Sequence, residues 1–248
     1  IAGYGKNGAI IHYAPTPESD TELQPEGFLL LDSGGHYMDG TTDITRTIKL
    51  GPVTQEMIDG YTYVLKSHIA MATAELTPDQ NGIDLDRITR APMRAAGLDF
   101  KHGLSHGIGH LLSVHEGPNI LRRVPTPIEL RPNMVMSDEP GLYIDGDFGV
   151  RIENEVLLKQ NEKGNIVFQS ITYCPYEREC INTALLTDEE LEWVNNYNKD
   201  LREKLVPLLD KEQFEAICAI DHVGFKTARF RAVYKRDDAP GALACALP

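Results

Sequence analysis

Hydrophobic and polar positions divide the chain into stretches of different period. Residues 1–50 read as strands and turns. Ala9-Ile10-Ile11-His12-Tyr13 is a short β-type run closed by Ala14-Pro15, and Phe28-Leu29-Leu30-Leu31 is an apolar run that ends on Asp32. Asp39-Gly40 has the chemistry of a hairpin turn. From Thr42 to Ile48 the residues alternate, with Asp43, Thr45 and Thr47 on one strand face and Ile44, Arg46 and Ile48 on the other. Met57, Tyr61, Val64, Leu65, His68, Ile69 and Ala72 then recur at helical spacing and predict a helix over 55–76. A second helix is predicted over 84–96, stopped by Gly97, with Pro92 as the residue that fits it least. Strand patterns return over 98–160, notably at 134–136 and 150–158. Three glycines between His102 and His110 oppose a helix there. Thr187-Asp188-Glu189-Glu190 is a capping box that opens a helix bearing Leu191, Val194, Leu201 and Leu205, and Asp210 is read as the cap of another.

Composition changes the picture mainly by exclusion. At 248 residues, 42% hydrophobic and 25% charged, the chain reads as globular rather than disordered or collagenous, and no apolar run approaches membrane-spanning length. A formal net charge of −13 argues against nucleic acid and anionic membrane as partners, and it suits a site that gathers cations as well as an ordinary soluble surface. The four cysteines, Cys174, Cys180, Cys218 and Cys245, form no CxxC pair, which points to a reducing, cytoplasmic compartment. The first residues do not read as a signal peptide, and the chain opens on Ile1, as expected for a fragment or a processed product. The tail beyond Arg229 turns basic and then Ala/Pro-rich and is assigned nothing.

An internal repeat carries the candidate chemistry. Asp32 precedes Gly34, the turn Tyr37-Met38-Asp39-Gly40, and a strand with Asp43. Glu139 precedes Gly141, the turn Tyr143-Ile144-Asp145-Gly146, and a strand with Glu153. Two similar hairpins, each presenting a carboxylate pair, are expected. Carboxylates beside Leu-Leu-Leu or Met-Val-Met are expected to be partly buried, and unpaired buried anions are very unfavourable. Two divalent cations would nearly neutralise four of them. Oxygen donors with one or two imidazoles suit manganese, cobalt or zinc more than copper, and the nitrogen disfavours calcium. Any one of these acids alone is as well explained as a turn cap or surface residue. His102, His106, His110 and His115 fall within fourteen residues. One can complete a metal site and others can bind a substrate. A helical zinc site on His102, His106 and His110 is the alternative, though no HExxH pattern accompanies it. His36, His68 and His222 are read as structural or surface residues.

The segments His102-Gly103-Leu104-Ser105-His106-Gly107, Val114-His115-Glu116-Gly117-Pro118, Ser137-Asp138-Glu139-Pro140-Gly141, Gly149-Val150-Arg151-Ile152-Glu153-Asn154 and Asp39-Gly40-Thr41-Thr42-Asp43-Ile44-Thr45-Arg46-Thr47 together resemble the pita-bread metallopeptidases. This superfamily includes methionine aminopeptidase, prolidase and Xaa-Pro aminopeptidase (aminopeptidase P). The stretch from Asn7 to Tyr13, the His102…His106 pair and the segment from Cys174 to Tyr197 resemble the multidomain cytosolic aminopeptidase P branch. The resemblance covers roughly residues 7–220 and implies an α+β fold: a curved antiparallel sheet with a pseudo-twofold repeat, flanked by helices. It implies a catalytic domain over 1–174 without its opening helices, a C-terminal helical extension over 175–220, and an unassigned tail over 221–248. It implies Asp32, Asp43, His106, Glu139 and Glu153 as ligands of two divalent ions, most simply Mn2+, with Co2+ or Zn2+ as alternatives. His102, His115 and Glu139 take catalytic roles, and His12, His102, His115, Tyr143 and Arg151 form the substrate wall. For Arg151 a plain ion pair with Glu153 or Glu155 is the simpler alternative. The implied substrates are peptides with proline in the second position, and the full-length protein is a possible homodimer. Prolidase, and an inactive scaffold with the same fold, are the competing readings.

Overall fold

The structure, a computed structural model, describes residues 1–124 and 126–210. In chain order the elements are β1 (Ala2–Tyr4), β2 (Phe28–Tyr37), β3 (Gly40–Lys49), α1 (Gln55–Ala72), β4 (Glu75–Leu76), α2 (Gly82–Ala95), β5 (Ser105–Gly107), β6 (Glu116–Leu121), β7 (Val135–Asp138), β8 (Gly141–Ile144), β9 (Phe148–Arg151), β10 (Asn154–Gln160), β11 (Ile166–Ser170) and α3 (Asp188–Leu205). The strands form a three-stranded sheet β1-β2-β3, a six-stranded sheet β4-β11-β10-β7-β5-β6 and the pair β8-β9. Every pairing is antiparallel.

The two expected hairpins are present. β2 and β3 pair without interruption from Phe28↔Lys49 to Tyr37↔Gly40. In the second unit, β7–β10 and β8–β9 keep one common register, from Leu157↔Val135 through Asn154↔Asp138 and Gly141↔Arg151 to Ile144↔Phe148. The ladder breaks only at Glu139-Pro140 opposite Ile152-Glu153. Pro140 has no N–H to donate; only its carbonyl takes part, accepting from Ile152 N–H at 3.3 Å. The expected single strand over 150–158 is therefore two strands. The backbone N–H of Glu153, freed from its own ladder, donates to the Thr45 carbonyl at 3.1 Å, which joins the second hairpin to the first.

The helices begin where local chemistry dictates. Thr54 accepts from Met57 N–H at the start of α1, and Asn81 with Asp84, and Thr187 with Glu190, form capping boxes for α2 and α3. α1 ends at Ala72, short of its expected end at 76, because Leu76 is taken into a strand opposite Ile166. α2 runs through Pro92 to Ala95. Tyr61, Val64, Leu65 and Ile69 of α1 share one buried core with Leu142, Phe148 and Val150 of the second hairpin and with Leu191, Val194 and Leu201 of α3. Each such burial contributes about 1.5–3 kcal/mol.

The run 9–13, expected as a strand, is a turn that follows a short 3-10 helix at Gly5–Ala9. Gly8 and Gly149 pass so closely that a Cβ on Gly149 would stand 1.8 Å from the Gly8 carbonyl oxygen. The segment is thus pressed against β9 rather than laddered beside a strand. Asn7 Nδ2 closes the turn by donating to Tyr13 Oη (3.2 Å) and to the Ser19 carbonyl (3.0 Å). The helix expected after Asp210, together with His222, Cys218 and Cys245, lies outside the described residues.

Candidate metal centre and substrate cleft

Register decides which acids converge. Asp32 stands opposite Thr45 and Asp43 opposite Gly34, so Asp32, Asp43 and Thr45 share one face of the first hairpin. Glu139 and Glu153 stand opposite each other at the break in the second. His106 comes from the middle of β5, where its N–H donates to Ser137 Oγ (3.0 Å); Ser137 Oγ in turn donates to Glu139 Oε1 (3.0 Å). β5 lies flush on β6 because Gly107 leaves room: a Cβ there would meet the Glu116 carbonyl oxygen at 2.4 Å.

Donor atoms of Asp43, His106 and Glu153 lie within 4.8 Å of one another, and all three residues are buried. His106 Nε2 lies 3.5 Å from Asp43 Oδ2 and 3.4 Å from Glu139 Oε1. The Nδ1 of His106 meets the Gly107 carbonyl at 2.9 Å, and a carbonyl only accepts, so Nδ1 carries the ring proton. Burial lowers the His106 pKa and keeps the ring neutral. Its Nε2 lone pair therefore faces two carboxyl groups, and the only protons available there are those the acids themselves hold. A cation would take the place of those protons, and the mixed oxygen and imidazole donors fit a divalent transition ion.

The electrostatics agree. Burial, reinforced by Asp32, raises Asp43 to about 6. Burial raises Glu139 to about 8, against the pull of Arg151 and Ser137. Glu153 is raised well above the ordinary range by burial and by Glu139 and Asp43. Asp43 also accepts no relief from its neighbour Glu155, whose Oε1 takes the Asp43 backbone N–H (2.6 Å) and whose own pKa burial lifts to about 7. Acids crowded at this cost are poised to exchange protons for cations.

Arg151 is the one cation that enters the cluster from the described residues. Its Nη2 donates to Asp32 Oδ2 (2.7 Å), its Nε to Thr45 Oγ1 (3.1 Å) and its Nη1 to Tyr143 Oη (2.9 Å). The pair expected with Glu153 or Glu155 is not formed; the partner is Asp32, from the other hairpin. Thr45 Oγ1 passes its proton toward Glu153 Oε2 at 2.6 Å. Tyr143 Oη donates to His102 Nε2 (3.0 Å), while His102 Nδ1 donates to the Gly103 carbonyl (2.6 Å). Burial lowers His102 to about 4, so it is neutral.

A cavity of about 930 Å³ opens over this cluster and is lined by Asp32, Asp43, His102, His106, Glu139, Arg151 and Glu153. His12 and His115 also line it, and the rings of His115 and His106 meet edge to face at 4.2 Å between centroids. Tyr143 is not in the wall; it stands behind, reaching His102 and Arg151 through its hydroxyl. His110 is not beside His102 and His106 on a helix. Its Nε2 donates to the Met38 carbonyl (2.9 Å), and Thr41 Oγ1 donates to the Gly109 carbonyl (2.6 Å), so the tip of the first hairpin clamps the loop that presents His115. His36 is an exposed rim residue and His68 is deeply buried elsewhere. Sequence reading overlooked Ser137 and Glu155. Their strand parity was the available signal, since Glu155 shares a face with Glu153 and Ser137 with Glu139.

A sequence model described as metallopeptidase family M24 matches residues 1–160, and one described as the C-terminal region of peptidase M24 matches 165–217. An aminopeptidase P1 from Lotus japonicus is 43% identical over 217 residues, covering 85% of this chain and 33% of that protein. A Xaa-Pro aminopeptidase 1 from Dictyostelium discoideum is 41% identical over 218 residues, covering 85% of this chain and 35% of that one. The chain thus spans about a third of the length of the curated relatives it matches. Among solved structures, an X-prolyl aminopeptidase from Caenorhabditis elegans, described as a cytosolic enzyme with a di-nuclear active site, superposes with a TM-score of 0.82 at 35% identity. It covers 89% of this chain and 37% of that one. A prolidase from Pyrococcus furiosus superposes with a TM-score of 0.61 at 30% identity, over 70% of this chain and 48% of that one. No helix among the described residues is long and apolar enough to cross a membrane.

Proposed function

The chain belongs to metallopeptidase family M24, and from that premise we propose that it carries the active site of a dinuclear aminopeptidase acting on peptides with proline in second position. The observation that carries the reading is the unprotonated His106 Nε2 facing Asp43 and Glu139 at 3.5 and 3.4 Å. Asp32, Asp43, His106, Glu139 and Glu153 would hold two divalent ions. Manganese suits this oxygen-rich set with a single imidazole best, and cobalt and zinc follow. Once bound, such a pair lowers the pKa of water and polarises a scissile carbonyl.

The chain's own residues supply the rest. Glu139, fixed by the Ser137 hydroxyl beside the His106 ring, would take a proton from water and return it to the leaving proline nitrogen. That nitrogen has no N–H before cleavage and needs one to leave. His115 at the mouth donates to the developing oxyanion. His102, held neutral and oriented by Gly103 and Tyr143, forms with His12 and Arg151 the wall that receives the proline ring. Arg151 holds the Asp32 carboxylate toward the cluster through its Nη2. The low cysteine content suits a cytoplasmic enzyme.

The aminopeptidase reading is favoured over the prolidase reading by the relatives named aminopeptidase P1 and Xaa-Pro aminopeptidase 1, at 43% and 41% identity over 85% of this chain, against 30% identity for the prolidase. The deciding experiment compares Xaa-Pro-Yaa tripeptides with Xaa-Pro dipeptides on the Mn2+-loaded protein. Faster cleavage of the tripeptide is expected. Activity confined to dipeptides would establish the prolidase reading, and metal binding without cleavage of either would establish an inactive scaffold.

A further inference from the structure

Each residue of the metal cluster has a strand neighbour that points the other way. Arg46 adjoins Thr45, Asn154 adjoins Glu153, and Asp138 adjoins Glu139. These three back-facing side chains are buried, and they meet in one polar network beneath the sheet.

Arg46 has no carboxylate partner among the described residues. Its Nη1 donates to the carbonyls of Thr45 (2.9 Å) and Glu153 (2.7 Å), its Nη2 to Asn154 Oδ1 (2.7 Å) and the Cys174 carbonyl (2.7 Å), and its Nε to the Pro175 carbonyl (3.0 Å). It lies 4.8 Å over the ring of Tyr176. Asn154 Nδ2 donates to Tyr176 Oη at 3.2 Å. Tyr176 Oη lies 2.9 Å from His68 Nε2, and His68 Nδ1 faces Asp138 Oδ2 at 3.1 Å. From α3, Tyr197 Oη donates to the Cys174 carbonyl (2.9 Å) and accepts from Arg46 Nη2 (3.4 Å). The chain of contacts therefore starts beside Glu139, passes through Tyr176, and ends on the backbone of Thr45 and Glu153.

We propose that Arg46, Asn154, Tyr176, His68, Asp138 and Tyr197 form a positioning brace through which the C-terminal extension fixes the metal-facing strands. The inference rests on the dinuclear reading of the cluster but not on its peptidase activity. Tyr176 and Tyr197 belong to the extension; Arg46, His68, Asp138 and Asn154 belong to the elements that build the cluster. The guanidinium fork ties the carbonyls of Thr45 and Glu153 together at the point where the second ladder breaks. Removing any link loosens the backbone under a ligand without touching the ligand.

The test is a calorimetric titration of the metal-free 248-residue chain with Mn2+ alone, for the parent, Tyr176→Phe, Arg46→Lys and Leu85→Ala. Tyr176→Phe keeps the ring under Arg46 and removes the hydroxyl. Arg46→Lys keeps the charge and removes the fork. Both are expected to bind Mn2+ roughly tenfold or more weakly. Leu85→Ala, a truncation in the α2 core, is expected to lower the melting temperature and leave Mn2+ affinity unchanged. Tyr176→Phe is the milder change and carries the test should Arg46→Lys not fold. Parent-like Mn2+ affinity in Tyr176→Phe, or an equal loss in Leu85→Ala, would overturn the brace. Failure to cleave Xaa-Pro peptides would count against the proposed activity and leave these titrations unaffected.

Discussion

The two hairpins share the turn pattern Tyr-x-Asp-Gly and a long antiparallel register, yet they treat their acids differently. In the first, β2 and β3 pair without a gap, Asp32 and Asp43 sit diagonally, and the Asp32 carboxylate is partly open to solvent and satisfied by Arg151. In the second, the ladder fails at Pro140, and Glu139 and Glu153 stand directly opposite each other in the break. In an intact antiparallel pair, directly opposite Cβ atoms are about 4.5–5.5 Å apart and diagonal neighbours about 7–8 Å. Burial is the main cause in both hairpins and acts more strongly in the second, lifting Glu139 to about 8 and Glu153, with Glu139 and Asp43 adding their charge, well above the ordinary range, against about 6 for Asp43. An intact strand pair can carry acids at modest cost. The interrupted pair creates the demand for cations, and it also frees the N–H of Glu153 to dock on Thr45 of the other hairpin.

The largest effect expected from this contrast is at Asp43, the first-hairpin acid that reaches the second pair. Asp43→Asn should abolish both Mn2+ binding and peptide hydrolysis, because the proposed ligand set would lose the negative charge that joins the two hairpins. Mn2+ stoichiometry by elemental analysis, measured beside hydrolysis of a Xaa-Pro tripeptide, checks it. Unchanged hydrolysis in this variant would dissolve the link between the two hairpins and the two-ion mechanism with it.

A smaller effect is expected from pH. The raised acids bind protons more tightly in the folded chain than in the unfolded one, so without metal their contribution is present below about 4.5 and is lost as pH climbs to the folded values. Those values are about 6 for Asp43, 7 for Glu155 and 8 for Glu139. His102 acts in the opposite sense: its folded pKa of about 4 lies below the ordinary 6.5, so the unfolded chain takes up its proton first and acid destabilises the fold below 6.5. His106 and His115 are lowered too and act in the same sense as His102 until the unfolded imidazoles have lost their protons, so the carboxylates act alone only above about pH 7.5. The metal-free chain should lose stability with rising pH there, on the order of 1 kcal/mol per unit from Glu139. Excess Mn2+ should reverse the trend, since binding needs the deprotonated ligands. Melting curves with a chelator and with Mn2+ measure both slopes. A flat chelated profile would mean that the acids of the second hairpin are not crowded as described.

Much of this contrast was readable in the sequence, and the unreadable part has a clear cause. Alternation placed Asp43 and Thr45 on one face, the Tyr-x-Asp-Gly repeat announced the two hairpins, and the capping box at Thr187 follows from local hydrogen bonding, whereas the one at Asn81, which starts α2 at Gly82 rather than Asp84, was missed. Local pattern could not reveal that Pro140 interrupts a ladder, since the same residues read equally well as one continuous strand. It misread 9–13 as a strand because the contact that shapes the segment is the approach of Gly8 to Gly149, far along the chain. The partner of Arg151 was also hidden, for Asp32 lies in the other hairpin. Likewise Arg46 read as one more residue on the outer face of a strand, although it is the buried cation beneath the cluster.

The smallest expected effect lies at the two turns, where the hairpins are most alike in sequence. Asp39 and Asp145 both precede a turn glycine and both are exposed. The first turn joins Tyr37 to Gly40 directly, and the second places Gly146 at φ +75° between Ile144 and Phe148. Asn is tolerated in either position because its short amide side chain makes the same local turn contacts as Asp. Asp145→Asn and Asp39→Asn should each stay within about 0.5 kcal/mol of the parent in stability, and Asp145→Asn should bind Mn2+ with unchanged stoichiometry. Thermal melts and Mn2+ titrations of the two variants check this. Asp145 is closer to the acid pair in sequence than most of the molecule, so its indifference would show that the charge demand arises at the ladder break and not from the acidity of the hairpin as a whole. A loss of Mn2+ binding in Asp145→Asn would mean instead that the turn helps to set the register of Glu139 against Glu153, and the difference between the hairpins would then originate at their tips.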